Sequence, residues 1–167
     1  DDLVVNCQGD APLVPATSID QVAGLLIEHA DAAMATLCTR ITRVEDYRSP
    51  HVVKVVSDAA GRALYFSRAP IPAVGHAGAA PASGDDGFPV SARHIGLYAY
   101  RIGALRALAV SPPCYLEQCE NLEQLRAMWM GLEIRVAQAR EQHGPDIDTP
   151  DDLQRALEFM RATGAAA

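Results

Sequence analysis

The stretch Leu3-Val4-Val5-Asn6-Cys7-Gln8-Gly9-Asp10 reads as a strand breaking into a loop. Leu3-Val4-Val5 is a short apolar run with β-branched residues, and Gln8-Gly9-Asp10 ends it. Such a run suits a strand buried on both faces, as in an α/β sheet. A buried strand as first element needs neighbours on both sides, so this reading expects further chain ahead of residue 1. Gly9 turns the backbone and leaves Asp10 just past the carboxyl end of the strand, where ligands collect in open α/β sheets.

Outward from this stretch, helices and strands mostly alternate. The period of Ile19, Val22, Leu26 and Ile27 predicts a helix over 18–31, with Thr17 or Ser18 as N-cap. Met34 to Ile41 is strand-like. Val52–Val56 and Ala63–Phe66 flank a Gly61 turn and read as a hairpin. Residues 73–92 lack a period and read as a mobile loop. Ile95–Tyr100 is a strand, Ile102–Leu108 a helix, and Leu116–Met130 a long helix ended by Gly131. Ile134–Ala139 is the next strand. Thr149-Pro150-Asp151-Asp152 opens a last helix whose apolar face is Leu153, Leu157 and Met160. The pattern predicts a single α/β domain over 1–167 with a mixed sheet.

Composition narrows the function. Of 167 residues, 49% are hydrophobic and 21% charged, which excludes disordered, coiled-coil and collagen-like chains. The net charge of −7 argues against nucleic-acid or anionic-membrane partners, which select basic faces. No apolar run reaches bilayer-spanning length, and no basic-then-apolar signal opens the chain. Cys7, Cys38, Cys114 and Cys119 lack metal-site spacing and read as free thiols in a reducing cytoplasm.

Several side chains carry candidate chemistry. Asp10 reads as a metal or phosphate-side carboxylate or as a solvated turn residue. Asp148, before the last helix, reads as a second metal carboxylate or as an acid favoured by the helix dipole. Arg68 follows a strand and can grip a carboxylate or phosphate through two parallel bonds, or lie on the surface. His94 is a sugar-oxygen donor or a satisfied half-buried histidine, and Tyr98 and Tyr100 are of a spacing usual in a core. Glu117, Glu120 and Glu123 form a row that is normally solvated, so any buried member is a site candidate.

Five segments, in order, resemble the 3-deoxy-manno-octulosonate cytidylyltransferase (CMP-Kdo synthetase) family. Val5-Asn6-Cys7-Gln8-Gly9-Asp10-Ala11-Pro12-Leu13-Val14 is similar to its "VNVQGDEPLI". Val53-Lys54-Val55-Val56 with Ala63-Leu64-Tyr65-Phe66-Ser67-Arg68, and Arg93-His94-Ile95-Gly96-Leu97-Tyr98, continue the likeness. Leu116-Glu117, Glu120 and Leu122-Glu123-Gln124-Leu125-Arg126 resemble "LExxExLEQLR", and Ile147-Asp148-Thr149-Pro150 resembles "(V/I)DTP".

The resemblance implies a Rossmann-like nucleotide-sugar transferase fold. It implies transfer of a cytidylyl group from CTP to the eight-carbon sugar acid Kdo, giving pyrophosphate and CMP-Kdo for lipopolysaccharide. It further implies Mg²⁺ on Asp10 and Asp148, a sugar site of Gln8, Arg68, His94, Tyr98, Glu123 and Gln124, and a cytoplasmic homodimer. Phosphoryl-type transfer is mostly positioning and charge neutralisation, so no protein nucleophile is needed. The family's amino-terminal part, with its "ARxxSxRLPGK" phosphate loop, has no counterpart here, so the 167 residues alone are expected to be inactive. Ala11 stands for the family's Glu, and Ala73 for the Trp of "IPW". The competing expectations are another sugar acid or phosphonate as acceptor, or a non-catalytic binding homologue.

Overall fold

The computed structural model describes residues 2–9, 11–73, 91–145, 147 and 150–163. The elements are β1 (Leu3–Asn6), α1 (Ala16–Glu28), β2 (Met34–Arg40), α2 (Val44–Arg48), β3 (Lys54–Ser57) and β4 (Ala63–Ser67). Then come β5 (Ala92–Arg101), α3 (Ile102–Val110), α4 (Tyr115–Glu120), α5 (Gln124–Trp129), β6 (Ile134–Gln138) and α6 (Pro150–Thr163). The strands form one six-stranded sheet in the order β4-β3-β5-β2-β6, with β1 also on β5. Among the described strands only β2 and β6 run parallel, so the sheet is mixed as expected.

β5 is the hub. It pairs with β2 along its length, with β3 near its start and with β1 near its end. Strand alternation sends its residues to two cores. On one face Leu97 and Ala99 pack with Ala35, Leu37, and Val22 and Leu26 of α1. On the other, Tyr98 and Tyr100 pack with Met34, Phe66 and the Leu108, Leu122 and Leu125 side chains of α3–α5.

The structure corrects several local readings. Leu3, Val4 and Val5 are half-buried rather than buried, because β1 pairs with β5 alone among the described strands. Helix α1 starts earlier and ends sooner than 18–31, with Pro15 at its N-cap and no side-chain cap. Ser18 does not cap: it is buried within the helix, and its hydroxyl bonds His143 Nε2 at 2.8 Å. The apolar stripe of α1 is narrow, for Ile19 and Ile27 are 36% and 68% exposed. Arg101 closes its far end, donating from Nη2 to Leu26 O (2.8 Å), a carbonyl left over by the helix, and from Nε to Ala32 O (2.8 Å) in the segment that follows.

The long helix expected over 116–130 is two short ones. Asn121 takes a left-handed φ of 51° between α4 and α5, a conformation that Asn tolerates better than most residues. Helix α2 was not foreseen, since five residues are too few to show a period. Most of the expected mobile loop, residues 74–90, lies outside the described residues. Of the apolar face predicted for α6, Leu153 and Leu157 remain exposed and Met160 is half-buried, while Ala156 is buried. No described helix is long and apolar enough to cross a membrane.

Phe66 sits fully buried where β4 meets the α3–α5 core, with its ring edge-on to His94 at 5.1 Å. Truncation there leaves a cavity that the sheet cannot close, so Phe66→Ala should lower unfolding free energy by about 3–5 kcal/mol in chemical denaturation.

Candidate functional site

The site begins with an irregularity in β5. Between Thr36↔Tyr98 and Leu37↔Ile95 the register slips, leaving Gly96 and Leu97 unpaired with β2. The Thr36 hydroxyl lies in this bulge, 2.9 Å from Leu97 O and 3.0 Å from Ile95 O. Two extra residues preserve the alternation of faces, so His94, Tyr98 and Tyr100 stay on one side of the sheet. Their rings form a row, His94 to Tyr98 at 5.2 Å and Tyr98 to Tyr100 at 5.8 Å. Gly96 leaves room for Gln8, whose Oε1 would lie 3.4 Å from a Cβ built there.

Above this row opens a polar cavity of about 660 Å³. Gln8, Arg68, His94, Tyr98, Glu123 and Gln124 all line it, so the six residues singled out for a sugar site share one space. Glu123 is exposed, whereas Gln124 and Tyr98 are buried parts of the wall. The Tyr98 hydroxyl has no hydrogen-bond partner among the described residues, an uncommon state for a buried polar atom.

Arg68 is held by main chain. Its Nε donates to Glu120 O at 2.7 Å, Nη1 to Pro50 O at 3.0 Å and Nη2 to Asn121 O at 3.4 Å. Carbonyls orient a guanidinium without cancelling its charge, and no described carboxylate forms an ion pair with it. A guanidinium has five N–H bonds, so two remain after these three contacts.

The row of acids divides its labour. Glu117 accepts from Cys114 N at 3.2 Å, completing a capping box, and pairs with Arg126 Nε at 3.1 Å. Glu120 accepts from Ser67 Oγ at 2.6 Å and from Arg68 N at 2.9 Å. Glu117 and Glu123 both line the cavity, and of the three acids Glu123 is the exposed one. Sequence reading missed Thr36 and Lys54. Lys54 is fully buried, and burial, the largest influence, pushes its ammonium pKa down. A lysine inside the run Val52-Val53-Lys54-Val55-Val56 was the available signal.

Burial also governs His94, taking its imidazole down to about 3 and keeping it neutral at ordinary pH. The Thr36 hydroxyl spends its hydrogen on β5 carbonyls, so His94 Nε2–H donates to Thr36 Oγ1 at 3.1 Å. This fixes the tautomer with Nδ1 as acceptor. Burial, then the neighbouring Tyr100 and Glu123, pushes the Tyr98 phenol far up, so it stays protonated.

A second cavity of about 330 Å³ lies across Gln8 and His94. Its walls include Leu13, Arg93, His143, Gly144 and Phe159. Helix α1 tethers the segment after β6: Gln21 Nε2 donates to Gln138 O (2.8 Å), and Arg140 N donates to Gln21 Oε1 (3.0 Å). Gly144 presses on Leu13 so closely that a Cβ there would lie 2.6 Å from the Leu13 Cβ. The chain just after residue 10 thereby meets the chain just before residue 148. Asp10 and Asp148 themselves lie outside the described residues. Among the described residues no three His, Cys, Asp or Glu side chains group as a metal centre, and all four cysteines are free.

The fold is thus a mixed α/β sheet with a polar cavity beside its hub strand, walled in part by a carbonyl-held arginine. The sequence model of the cytidylyltransferase family matches residues 1–134, and the chain belongs to that family. It is 50% identical over 162 residues to a 3-deoxy-manno-octulosonate cytidylyltransferase of Thioalkalivibrio sulfidiphilus, covering 97% of this chain and 64% of that protein. It is 47% identical to the enzyme of that name from Pseudomonas syringae pv. tomato, covering 96% of this chain and 63% of the other. A solved CMP:2-keto-3-deoxy-manno-octonic acid synthetase complexed with CTP superimposes with a TM-score of 0.80 at 34% identity, over 96% of this chain and 63% of that one. The chain thus spans just under two thirds of the length of these relatives.

The depressed His94 sets a pH dependence. The unfolded chain takes up a proton near pH 6.5 that the folded chain refuses until about 3, so stability is full above 6.5 and declines below it. At pH 5 the loss from this group is about 2 kcal/mol. His143, lowered chiefly by burial and then by Arg93, adds in the same direction. Denaturation at pH 7.5 and pH 5 should show a smaller difference for His94→Gln than for the unaltered protein.

Proposed function

We propose that this chain is the acceptor-binding side of an enzyme that transfers a cytidylyl group from CTP to Kdo. The anomeric hydroxyl oxygen of the sugar acid bonds to the α-phosphorus as its proton passes to solvent or to the leaving group, the bond to the bridging oxygen of the β-phosphate breaks, and pyrophosphate leaves with CMP-Kdo as the other product. Such a product is an activated donor for lipopolysaccharide assembly. The observation that carries this reading is Arg68: a positive group without a carboxylate partner among the described residues, held by carbonyls at the wall of a polar cavity. That is what a sugar carboxylate requires, and two parallel N–H bonds give it orientation as well as charge.

The other lining groups suit sugar hydroxyls. Neutral His94 offers an acceptor at Nδ1, Tyr98 carries an unspent hydroxyl, and Gln8, Glu123 and Gln124 supply donors and acceptors. None need move a proton: His94 remains neutral well below pH 7 and Tyr98 remains protonated well above it. Positioning, rather than acid–base exchange, is the work of these side chains.

Asp10 and Asp148 are proposed as the Mg²⁺ carboxylates, on the likeness of their motifs and on the contact of Leu13 with Gly144 that draws their segments together. The ion would supply charge neutralisation on the polyphosphate. A cytoplasmic homodimer and a single domain over residues 1–167 complete the proposal.

Pyrophosphate release should be measured with CTP, Mg²⁺ and Kdo on the complete product of the gene that carries this sequence. Kdo-dependent release is expected, with little or none from the 167 residues alone. Absence of release by the complete, folded product would remove the enzyme reading, and release with another sugar acid only would change the acceptor. Arg68→Met should raise KM for Kdo about 10–100-fold, the worth of a charge-assisted pair; an unchanged KM would sink its role.

Asp10→Asn and Asp148→Asn should each cost at least about a hundredfold in turnover. The double variant should be little worse than either, because the two act as a unit. Isothermal titration with Mg²⁺ should show weakened binding in each.

A further inference from the structure

Lys54 is a charged side chain with no exposure at all, and the cavity chemistry described above does not use it. An ammonium has three N–H bonds, and Lys54 spends them on three main-chain carbonyls. Nζ donates to Ser49 O at 2.7 Å, Val52 O at 2.6 Å and Arg68 O at 2.6 Å. Nothing is left over for a ligand. An ammonium so buried is costly, and an apolar side chain would fill the same volume without that cost. What only a cation can do here is gather three carbonyls that would otherwise repel one another.

Those three carbonyls have a common property. Two belong to the turn that follows α2, and Pro50 in that turn accepts from Arg68 Nη1 at 3.0 Å. The third belongs to Arg68 itself. One ammonium therefore fixes both the backbone from which Arg68 projects and the carbonyl that directs its guanidinium. Glu120 completes the hold from the opposite side, through Ser67 Oγ and Arg68 N, while its own carbonyl takes Arg68 Nε. The turn residues His51, Val52 and Val53 also line the cavity, so the same ammonium shapes the wall beside Arg68.

We infer that Lys54 is the positioning residue that aims Arg68 into the cavity and so sets the affinity for the acceptor's carboxylate. The inference rests on the reading of Arg68 as the group that receives that carboxylate. Lys54→Met keeps the length and bulk of the stem and removes the three donors.

The test uses the complete gene product and two readouts. In steady-state kinetics Lys54→Met should raise KM for Kdo at least about tenfold, with kcat and KM for CTP within about threefold, the pattern of lost ground-state positioning. In ¹⁵N NMR the Arg68 Nε–H signal, identified by its loss in Arg68→Met, should be shielded from solvent exchange in the unaltered protein and should lose that protection in Lys54→Met. A Lys54→Met protein that melts at lower temperature, yet keeps its KM for Kdo and its Arg68 protection, would reduce Lys54 to a structural residue and overturn the inference. If Lys54→Met does not fold, Lys54→Gln, which still reaches fewer of the carbonyls, is judged by the same two criteria. If the unaltered protein shows no turnover with Kdo, the enzyme reading fails, while the Arg68 signal still decides what Lys54 does.

Discussion

Everything in this molecule is arranged around the demand that β5 serve three partners at once. A strand has two edges, and β5 gives one to β2 and divides the other between β3 and β1. Its ten residues outnumber the seven of β2; Gly96 and Leu97 stay unpaired within the ladder and Arg101 lies past its end. An unpaired carbonyl inside a sheet is costly unless satisfied, and the Thr36 hydroxyl sits against that of Leu97, with the Ile95 carbonyl also within reach. The same oxygen then accepts from His94. A repair made for the backbone thereby sets the tautomer of a cavity side chain, and the even number of inserted residues keeps the aromatic row on one face.

The cavity wall shows how charge is handled where water is scarce. Arg68 and Lys54 are both cations ringed by carbonyls, so their orientation comes from dipoles instead of opposite charges. Glu120 stands close enough to favour the charge on Lys54, yet its oxygens are occupied by Ser67 and the Arg68 amide. Toward the open side the wall sets Arg68 beside the exposed Glu123, and the buried Tyr98 hydroxyl is left without a partner among the described residues. A carboxylate from this chain placed against Arg68 would have given a tighter internal pair and a worse receptor for an outside anion.

Much of this was legible in the sequence, and the exceptions have physical causes. The alternating elements and mixed sheet follow from apolar period and turn residues, and the family from five ordered motifs. The helix over 116–130 was misread because the apolar period runs through Asn121, and a single left-handed residue leaves no trace in periodicity. The strand Leu3–Val5 was read as buried because β-branched composition tells of a sheet and not of how many neighbours it has. The six cavity residues could be named only through the motifs, since bringing Gln8, Arg68 and Glu123 together takes the whole topology. Lys54 and Thr36 escaped because their work is done on main-chain carbonyls, which sequence does not display.

The meeting of Gly144 with Leu13 has a consequence for how this sequence can vary. The two positions lie far apart along the chain yet share one allotment of volume, with a distance of 2.6 Å from any Cβ at 144 to that of Leu13. Drift at one is therefore bounded by the other: a side chain can appear at 144 only where the residue at 13 has retreated or the two segments have parted. Among relatives, positions aligned with these two should change as a pair or not at all, a covariance that reports a contact between loops rather than any property of the residues alone.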